Sequence, residues 1–544
     1  MTGSDAMARS LKEEGVEVLF GYTGAAIAPF YDSLATETKI HSVLVRTEQS
    51  AAHMASGYAR MTGRVGVCAV TSGPGATNLL TGIATAFADS IPLVCITGQV
   101  NSALIGSDVF QEADIIGAAE SFVKYSYLIR DAADIPQVFK EAFHIAGTGR
   151  KGPVLIDVPQ DVMEASIGKF HYPESVSLRS YKPTVKGNVV QIRKVITELT
   201  KAERPILCVG GGVISSGAVK IIREFAHRFD IPVVSTMMGI GVMPTEDMLY
   251  FGMVGNNGEP AANQAMNESD LLLMVGARVA DRAVNRPDLI TENKVLVHID
   301  VDPAEIGKNV GPTIPIVGDI RHIFTELMEQ ESLSKVPENH STWLNTLYAG
   351  KKSERSVPAA SDEYVDPKAF YDALSSAMDE DAVFVADVGQ NQIWSCRYVR
   401  VRAGRFLTSG GMGTMGYSIP AAIGARIACP DRQVLAVCGD GAFQMSMMEL
   451  ATMRQEHAAI KVIVLTNKRL GMVREYQHMH LHDRYEMVKL EGDPDLKLVA
   501  EAYGMPYHRI DGKSALDKEL GIFLRQEEAG ILEVMIDPDA LTPR

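Results

Sequence analysis

The strongest constraint on the fold is the alternation of short apolar runs with longer segments of helical periodicity. The runs are rich in β-branched residues, are bounded by Gly or Pro, and recur at residues 65–70, 93–97, 154–158, 206–209, 271–275, 295–299, 434–438 and 462–466. Strands that are apolar on both faces and separated by helices are typical of parallel sheets covered on both sides. We therefore predict an α/β fold of doubly wound parallel sheets.

The length of the chain requires several such domains. At about 150 residues per domain, 544 residues correspond to three or four. Two polar stretches of low periodicity are predicted linkers: residues 165–188, which contain Pro173 and Pro183, and residues 334–366, rich in Ser, Glu, Lys and Pro. The predicted domains are residues 1–165, 188–335 and 365–544, and the first and third could share a fold without sequence similarity.

Composition and charge exclude several classes of function. The content of 46% hydrophobic and 22% charged residues is that of an ordinary globular protein, and the net charge of −15 disfavours binding to nucleic acid or an anionic membrane. The six cysteines form no C-x-x-C pair, which argues against a disulfide framework or a zinc site. Residues 1–19 are charged and amphipathic, and no apolar run reaches about 18 residues. We expect a cytoplasmic protein with a small-molecule partner.

The clearest chemical signal is a Gly-Asp-Gly turn in the third segment. An apolar run leads into Gly439, Asp440 and Gly441, a helical stretch follows, and the next apolar run ends at Asn467. Asp440 and Asn467 thus fall at the carboxyl ends of two parallel strands, where open α/β sheets bind ligands. Their oxygens suit Mg²⁺ held jointly with a diphosphate, which the glycines and the following helix amino terminus would also bind.

This turn and the later Asn resemble the diphosphate-binding motif of thiamine-diphosphate enzymes. The resemblance extends over essentially the whole chain and is closest to the catalytic (large) subunits of acetolactate synthases. It is carried by residues 71–78 (TSGPGATN), 96–100 (ITGQV), 105–112 (IGSDVFQE), 152–159 (GPVLIDVP), 276–278 (GAR), 410–417 (GGMGTMGY) and 471–474 (GMVR). It implies a pyrimidine-binding, a central flavin-binding and a diphosphate-binding domain, in that order.

The resemblance also implies which residues bind thiamine diphosphate and Mg²⁺. Asp440, the Asn467 side chain and the Arg469 carbonyl would coordinate the metal. Glu48 would activate the cofactor through a hydrogen bond to its aminopyrimidine ring, a task for a partly desolvated carboxyl group. The residues expected to contact thiamine diphosphate are Glu48, Thr71, Gln111, Val388, Gly389, Gln390, Asn391, Gly413, Met415, Gly439, Asp440, Gly441, Ala442, Asn467, Leu470, Gly471 and Met472.

The implied reaction is the decarboxylation of pyruvate and its ligation to a second pyruvate, which yields 2-acetolactate and CO₂ in branched-chain amino acid biosynthesis. Arg278 would bind the carboxylate of the second 2-oxo acid through its planar guanidinium group. The residues with expected catalytic roles are Glu48, Gln111, Arg278, Met472 and Tyr476.

The middle segment carries a weaker signal. Gly210, Gly211 and Gly212 follow an apolar run but lack a full dinucleotide-binding fingerprint. The resemblance nevertheless implies FAD in a structural, non-redox role. The matching positions are Arg150, Gly210, Gly211, Thr236, Gly276, Arg278, Arg282, Asp300 and Asp319.

The sequence departs from the family pattern at several of these sites. Thr47 stands where a His usually precedes the activating Glu, Asn256 and Asn257 replace Met-His near the flavin, and Asn391 replaces a His near the diphosphate. Tyr476 replaces a Trp that favours 2-oxobutyrate over pyruvate as acceptor. Because such packing differences amount to at most a few kcal/mol, we expect acetolactate formation with a weak preference for 2-oxobutyrate.

Three alternatives remain open at this point. The departures are compatible with another thiamine-diphosphate-dependent 2-oxo acid decarboxylase, carboligase or dione hydrolase on the same scaffold. A nicotinamide-dependent dehydrogenase would leave Asp440 and Asn467 unexplained, and a catalytically inactive binding subunit would not need Glu48.

The resemblance finally implies an assembly of chains. In the family, each active site lies between the amino-terminal domain of one chain and the carboxyl-terminal domain of another, so Glu48 and Asp440 would meet across a dimer interface. We therefore expect a homodimer or homotetramer. A small regulatory subunit is common among biosynthetic members.

Overall fold

The computed structural model describes residues 1–284, 290–351 and 363–543. These residues form three six-stranded sheets, and the strand pairs within each sheet are parallel. The predicted α/β fold of three parallel sheets is therefore confirmed, whereas the predicted domain boundaries stay predictions. We call the three units the N-domain, the middle domain and the C-domain. Within the described ranges, no helix is both long and apolar enough to cross a membrane.

The N-domain is built around a fully buried sheet centre. Strands β3, β4 and β6 are buried along their whole length, which explains their continuous apolar sequence. The strands are β1 (Val18–Tyr22), β2 (His41–Leu44), β3 (Gly66–Val70), β4 (Leu93–Gln99), β5 (Tyr125–Leu128) and β6 (Pro153–Pro159), in the order β2-β1-β3-β4-β6-β5. The α-helices are α1 (Gly3–Glu13), α2 (Ala28–Glu37), α3 (Glu48–Thr62), α4 (Pro74–Ala88), α5 (Ile115–Ala119), α6 (Ile135–Gly147) and α7 (Gln160–Glu164).

The middle domain has the strand order of a dinucleotide-binding sheet. Its strands are β7 (Pro205–Val209), β8 (Val233–Ser235), β9 (Tyr250–Met253), β10 (Leu271–Val275), β11 (Val295–Asp300) and β12 (Ile314–Val317). Their order, β12-β11-β10-β7-β8-β9, corresponds to the Rossmann order 3-2-1-4-5-6 read from the other edge. The α-helices are α8 (Val189–Leu199), α9 (Gly211–Ser215), α10 (Val219–Arg228), α11 (Pro260–Glu268), α12 (Ile320–Glu329) and α13 (Ser341–Lys351).

Helix α13 corrects one expectation. It lies inside the predicted linker 334–366, but Trp343, Leu344 and Leu347 are buried in the core of the middle domain. The Trp343 indole also donates a hydrogen bond of 3.2 Å to the carbonyl of Pro205 at the start of β7. The polar composition of the surrounding residues concealed this short apolar face, because it spans only a few positions.

The C-domain repeats the topology of the N-domain. Its strands are β13 (Val383–Ala386), β14 (Arg405–Thr408), β15 (Val434–Gly439), β16 (Ile460–Thr466), β17 (Tyr507–Ile510) and β18 (Gly530–Met535). Their order is β14-β13-β15-β16-β18-β17, the same as in the N-domain when each set is numbered from its first strand. The α-helices are α14 (Pro367–Ala377), α15 (Gln390–Tyr398), α16 (Ser418–Ala428), α17 (Asp440–Ser446), α18 (Leu450–Gln455), α19 (Gly471–His480), α20 (Leu496–Ala502) and α21 (Leu516–Arg525).

One pair of helices joins the N-domain to the C-domain. Helices α3 and α16 pack antiparallel: Gly57 lies on the backbone of Ala421, and Gly424 lies on the backbone of Met54. A Cβ atom at either glycine would overlap a carbonyl oxygen of the other helix. A single apolar core therefore continues from the N-domain sheet into the C-domain sheet.

Polar contacts fix one end of this helix pair. Arg60, near the end of α3, forms a buried ion pair of 2.7 Å with Asp89 and donates to the Thr408 carbonyl at 2.8 Å. The hydroxyl groups of Thr85 on α4 and Thr414 lie 2.7 Å apart. The loop that leads from β14 into α16 is thereby held at the carboxyl ends of α3 and α4.

Replacing Gly57 tests this packing. We expect Gly57→Ala to lower the thermal unfolding temperature, because the new methyl group must displace the Ala421 backbone and such overpacking costs about 1–3 kcal/mol. Gly521→Ala in α21 is the matched control, since a Cβ atom there meets only the flexible end of Arg525. Differential scanning calorimetry of both variants makes the comparison. An unchanged transition in Gly57→Ala would contradict the close approach.

Candidate active site

Three strand ends of the C-domain carry the polar groups of a candidate site. Asp387 follows β13, Asp440 follows β15 and Asn467 follows β16, and these three strands are neighbours in the sheet. Gln390 and Met415 lie on the adjoining segments. We call these five residues the C-domain cluster.

Asp440 is buried, and its carboxylate is held by backbone amides. Oδ1 accepts the N–H of Gly441 at 2.9 Å, and Oδ2 accepts those of Asn467 at 3.1 Å and Lys468 at 2.6 Å. Burial raises the pKa of Asp440 to about 6. A buried carboxylate with lone pairs to spare gains from a nearby cation, which favours its charged form.

Asn467 brings a second oxygen to the same place. Its side-chain oxygen accepts the N–H of Arg469 at 3.1 Å, and its amide donates to Gln390 at 3.1 Å. In the part of the chain that the structure describes, no three His, Cys, Asp or Glu side chains form a metal-binding group. The donors available here are one carboxylate together with amide and carbonyl oxygens, a set that suits a hard cation such as Mg²⁺.

Gln390 connects this edge to α19 and to the last residues of the chain. Its amide donates to the Glu475 carboxylate at 3.0 Å and to the Ala540 carbonyl at 2.8 Å. Asn391 points elsewhere: its side-chain amide donates to the carbonyls of Asp387 at 2.9 Å and Val437 at 3.2 Å. Both hydrogen bonds of the Asn391 side-chain amide are therefore made to backbone carbonyls of the C-domain sheet and the residue that follows β13.

Asp387 is a functional candidate that sequence reasoning missed. It is fully buried, and its carboxylate accepts the backbone N–H groups of Val388 at 2.8 Å, Gly416 at 2.9 Å and Ser418 at 2.7 Å. Burial raises the pKa of Asp387. These bonds fix the loop that carries Met415. The signal was present, because Asp387 directly follows an apolar run, as Asp440 does.

The other predicted C-domain residues lie along the same edge. The Met415 Cε atom is 3.5 Å from the position of a Cβ on Gly441, and Gly389 and Gly413 have φ angles of 132° and 70° that favour glycine. Gly439 ends β15, and the remaining predicted residues are on loops and first helical turns here: Val388, Ala442, Arg469, Leu470, Gly471 and Met472.

A second cluster lies in the N-domain and consists of Glu48, Thr71, Asn78 and Gln111. Glu48 is the half-buried first residue of α3, and its carboxylate accepts the Asn78 amide at 3.0 Å. Gly75 lies between Glu48 and Thr71, whose buried hydroxyl has no hydrogen-bond partner. Gln111 has a positive φ of 60° and packs on Gly73, which leads into α4 beside them. Asn78 was not predicted as a site residue, because the surrounding sequence does not distinguish it from a surface residue of a helix.

Thr47, the departure next to Glu48, has a local structural role. It is the N-cap of α3, and its hydroxyl accepts the backbone N–H of Ser50 at 3.4 Å. Thr is a favoured N-cap residue. The replacement of the usual His therefore leaves the turn that presents Glu48 intact.

Within one chain, the two clusters lie toward opposite ends of the α3–α16 pair. Glu48 begins α3, which has 15 residues and is therefore about 22 Å long. The loop that carries Met415 instead contacts the far ends of α3 and α4, through Arg60 and Thr85. The structure thus brings the residues of each cluster together but leaves Glu48 remote from Met415.

Comparison with known proteins assigns the chain to a family. Three family profiles match: the thiamine pyrophosphate enzyme N-terminal TPP-binding domain at residues 1–118, the central domain at 192–327 and the C-terminal TPP-binding domain at 387–534. The acetolactate synthase large subunit of Lactococcus lactis subsp. lactis (strain IL1403) is 41% identical over 536 residues, which cover 98% of this chain and 92% of that protein. The acetolactate synthase of Mycobacterium bovis is 44% identical over 512 residues, covering 93% and 83%. The probable acetolactate synthase large subunit of Methanococcus aeolicus is 41% identical over 556 residues, covering 99% and 93%. The chain belongs to the acetolactate synthase large-subunit family of thiamine pyrophosphate enzymes.

The middle domain is the central domain of this thiamine pyrophosphate enzyme family, and its predicted flavin residues share one sheet edge. They follow or end five parallel strands: Gly210 at β7, Thr236 at β8, Gly276 at β10, Asp300 at β11 and Asp319 at β12. The strand order reverses between β7 and β10, and open sheets bind ligands at such a point. A Cβ on Gly210 would overlap the Gly276 carbonyl, so contact within the chain already explains that glycine. Gly211, which begins α9, has more space.

The three predicted arginines near this edge differ in their surroundings. Arg150 reaches from the N-domain to form ion pairs with Asp302 at 3.1 Å and Glu305 at 2.8 Å. Arg278 is half-buried in the segment after β10, and the side chain of Arg282 is 84% exposed. The structure therefore places the predicted flavin and acceptor arginines at one edge but does not bring them into either cluster.

Tyr476 lies on the exposed face of α19. The residue is 56% exposed, and its ring contacts that of His480 in a tilted arrangement, with 4.7 Å between centroids and 43° between planes. The neighbouring Glu475 is buried and accepts the hydroxyl of Thr542 at 2.8 Å. Sequence reasoning missed Glu475, because a charged residue on a polar helix gives no sign that it will be buried.

Proposed function

We propose that this member of the acetolactate synthase family converts two pyruvate anions and one proton into 2-acetolactate and CO₂. The observation that carries the proposal is the convergence of Asp440 and Asn467 at the ends of β15 and β16, in a chain with close relatives named acetolactate synthase. Bound thiamine diphosphate supplies an acidic carbon and a sink for the electron pair that stays behind when a 2-oxo acid loses carbon dioxide.

The chain's own residues would bind the metal, the cofactor and the acceptor, and would share a proton with the cofactor. The oxygens of Asp440, Asn467 and the Arg469 carbonyl would hold Mg²⁺ and, through it, the diphosphate. Glu48 would hydrogen-bond to the aminopyrimidine ring and share a proton with it, oriented by Asn78. Gln111, Met415 and Met472 would line the pocket and exclude water, and Arg278 would bind the acceptor carboxylate. The donor chemistry and the buried, unpartnered hydroxyl of Thr71 support these assignments.

We further propose that a complete site requires two chains, as a homodimer or homotetramer. The pyrimidine and thiazolium rings of thiamine diphosphate are joined by one methylene carbon. They cannot span from Glu48 to a Met415 near the opposite end of a helix about 22 Å long. Exposed apolar side chains support a covering partner: Phe110 and Met487 are each 87% exposed, and Met445 is 57% exposed.

FAD is proposed to bind the middle domain in a structural role. The Rossmann strand order and the position of Gly210, Gly276 and Asp300 at its reversal point support this assignment. Asn257 does not restore the missing imidazole, since its amide donates to the carbonyl of Pro543 at 3.2 Å. A regulatory subunit and a cytoplasmic location stay predictions from the sequence.

Glu48→Gln tests the proposed activation. We expect the rate of pyruvate consumption to fall by at least about 100-fold, because the amide cannot share a proton with the pyrimidine ring. Binding of thiamine diphosphate and Mg²⁺, measured by calorimetry, should be retained, since the proposed metal and diphosphate contacts come from other residues. Glu37→Gln, on the far end of α2, is the control. Unchanged activity in Glu48→Gln would contradict the role.

The visible absorption spectrum of the purified protein tests the flavin assignment. We expect a flavin absorption band that is not bleached by turnover of pyruvate, as a structural role requires. Denaturation should release the flavin from the protein. Colourless protein that reaches full activity without added FAD would refute the assignment.

Competition between pyruvate and 2-oxobutyrate tests the role of Tyr476. We expect a weak preference for 2-oxobutyrate, and we expect Tyr476→Trp to raise it by up to about tenfold, because a larger ring packs more closely on the additional methylene. Chromatographic quantification of both products gives the ratio. A strong preference in the unmodified protein would contradict the prediction, and products other than acetohydroxy acids would favour another carboligase or a dione hydrolase.

A further inference from the structure

The segment that presents Glu48 is held by a carboxylate from the C-domain of the same chain. Glu449 closes the 3-10 turn Met447–Glu449 between α17 and α18, and it is completely buried. Its Oε1 atom accepts the backbone N–H of Arg46 and that of Thr47, each at 3.0 Å. These are the two residues directly before Glu48.

Further hydrogen bonds hold the Glu449 carboxylate and the turn that it contacts. The other oxygen of Glu449 accepts the Thr452 hydroxyl at 2.7 Å, and that hydroxyl also lies 3.2 Å from the Leu44 carbonyl. The guanidinium of Arg46 donates to Leu44 at 2.8 Å and to Gln455 at 3.0 Å, which closes the turn around the carboxylate. Amides that bond an ionised acceptor are held more firmly than those that bond a neutral one.

Resting on the proposed function, we propose that Glu449 is a positioning residue that sets the placement of the Glu48 carboxylate. The amides of Arg46 and Thr47 fix where α3 begins, and Thr47 is its N-cap. A carboxyl group that must reach one ring nitrogen tolerates little displacement, since a shift of about 1 Å in catalytic geometry can cost 100-fold in rate. Glu449 therefore acts through Glu48 and touches neither substrate nor cofactor.

Glu449→Gln is the informative variant. The glutamine oxygen can take the place of Oε1, but it is a neutral acceptor that both amides bond more weakly. Its NH₂ group, in the place of Oε2, would face the backbone N–H of Arg46, whose nitrogen lies 3.2 Å from that oxygen. In the protein without cofactor, we expect amide hydrogen exchange in the peptide 44–50, followed by mass spectrometry, to accelerate about tenfold. With saturating cofactor, we expect kcat to fall 10- to 100-fold with KM for pyruvate within about twofold of the unmodified value.

Two further variants make the result decisive. Glu449→Asp keeps the charge but withdraws it by one methylene, and we expect intermediate amide exchange and an intermediate kcat. Glu456→Gln is the control. The Glu456 carboxylate lies 2.6 Å from the imidazole of His41 in β2, the strand that leads to this turn, but Glu456 does not contact the turn before Glu48. It should match the unmodified protein in both measurements.

The outcomes separate this inference from the proposed function. Faster exchange in the peptide 44–50 with unchanged kcat, or unchanged exchange in Glu449→Gln, would overturn the positioning role. If Glu449→Gln fails to fold, Glu449→Asp carries the test, and unmodified exchange and kcat in that variant would overturn the role. If the unmodified protein forms no acetolactate, the proposed function fails, whereas the exchange measurement still reports on the Glu449 hydrogen bonds.

Discussion

The close approach of α3 and α16 is the contact on which the arrangement of the molecule depends. Gly57 and Gly424 each lie on the backbone of the opposite helix, so the N-domain and C-domain share one apolar core. The pairing is antiparallel, and it therefore places the amino terminus of α3, with Glu48, away from the loop that leads into α16, with Met415. A chain packed in this way presents two separate clusters, and in the proposed two-chain site each of them is completed by another chain.

Polar contacts on both sides of this helix pair hold each cluster from the opposite domain. The Arg60–Asp89 ion pair and the Thr85–Thr414 contact fix the Met415 loop from the N-domain side. Asp387 fixes that loop from the C-domain side, because its carboxylate accepts backbone N–H groups of the loop and of the start of α16. Glu449 does the reverse and holds the start of α3 from the C-domain. Each half of the chain thus holds a segment of the other half that carries predicted site residues.

Much of the fold and the ends of its strands could be predicted from the sequence. Buried parallel strands have continuous apolar sequences, so the sheets and the positions of Asp440 and Asn467 followed from pattern and spacing. The burial of Glu449 and Glu475 could not be predicted, because it depends on what packs over these side chains, whereas Asp387 follows an apolar run as Asp440 does. Helix α13 was missed for a related reason: its apolar face is short, and only the core of the middle domain shows where it belongs. The residues assigned through family resemblance lie at the expected sheet edges, but their roles stay proposals.

We propose that each site is built from the N-domain of one chain and the C-domain of another. Glu48→Gln and Asp440→Asn chains with different affinity tags can be produced together, and mixed assemblies can be isolated by purification on both tags in turn. A mixed dimer then contains one site with both substitutions and one intact site, so we predict about half the activity of the unmodified protein, although each variant alone is inactive. Mixed dimers with no more activity than the separate variants would contradict the two-chain site and place Glu48 and Asp440 of one chain in the same site.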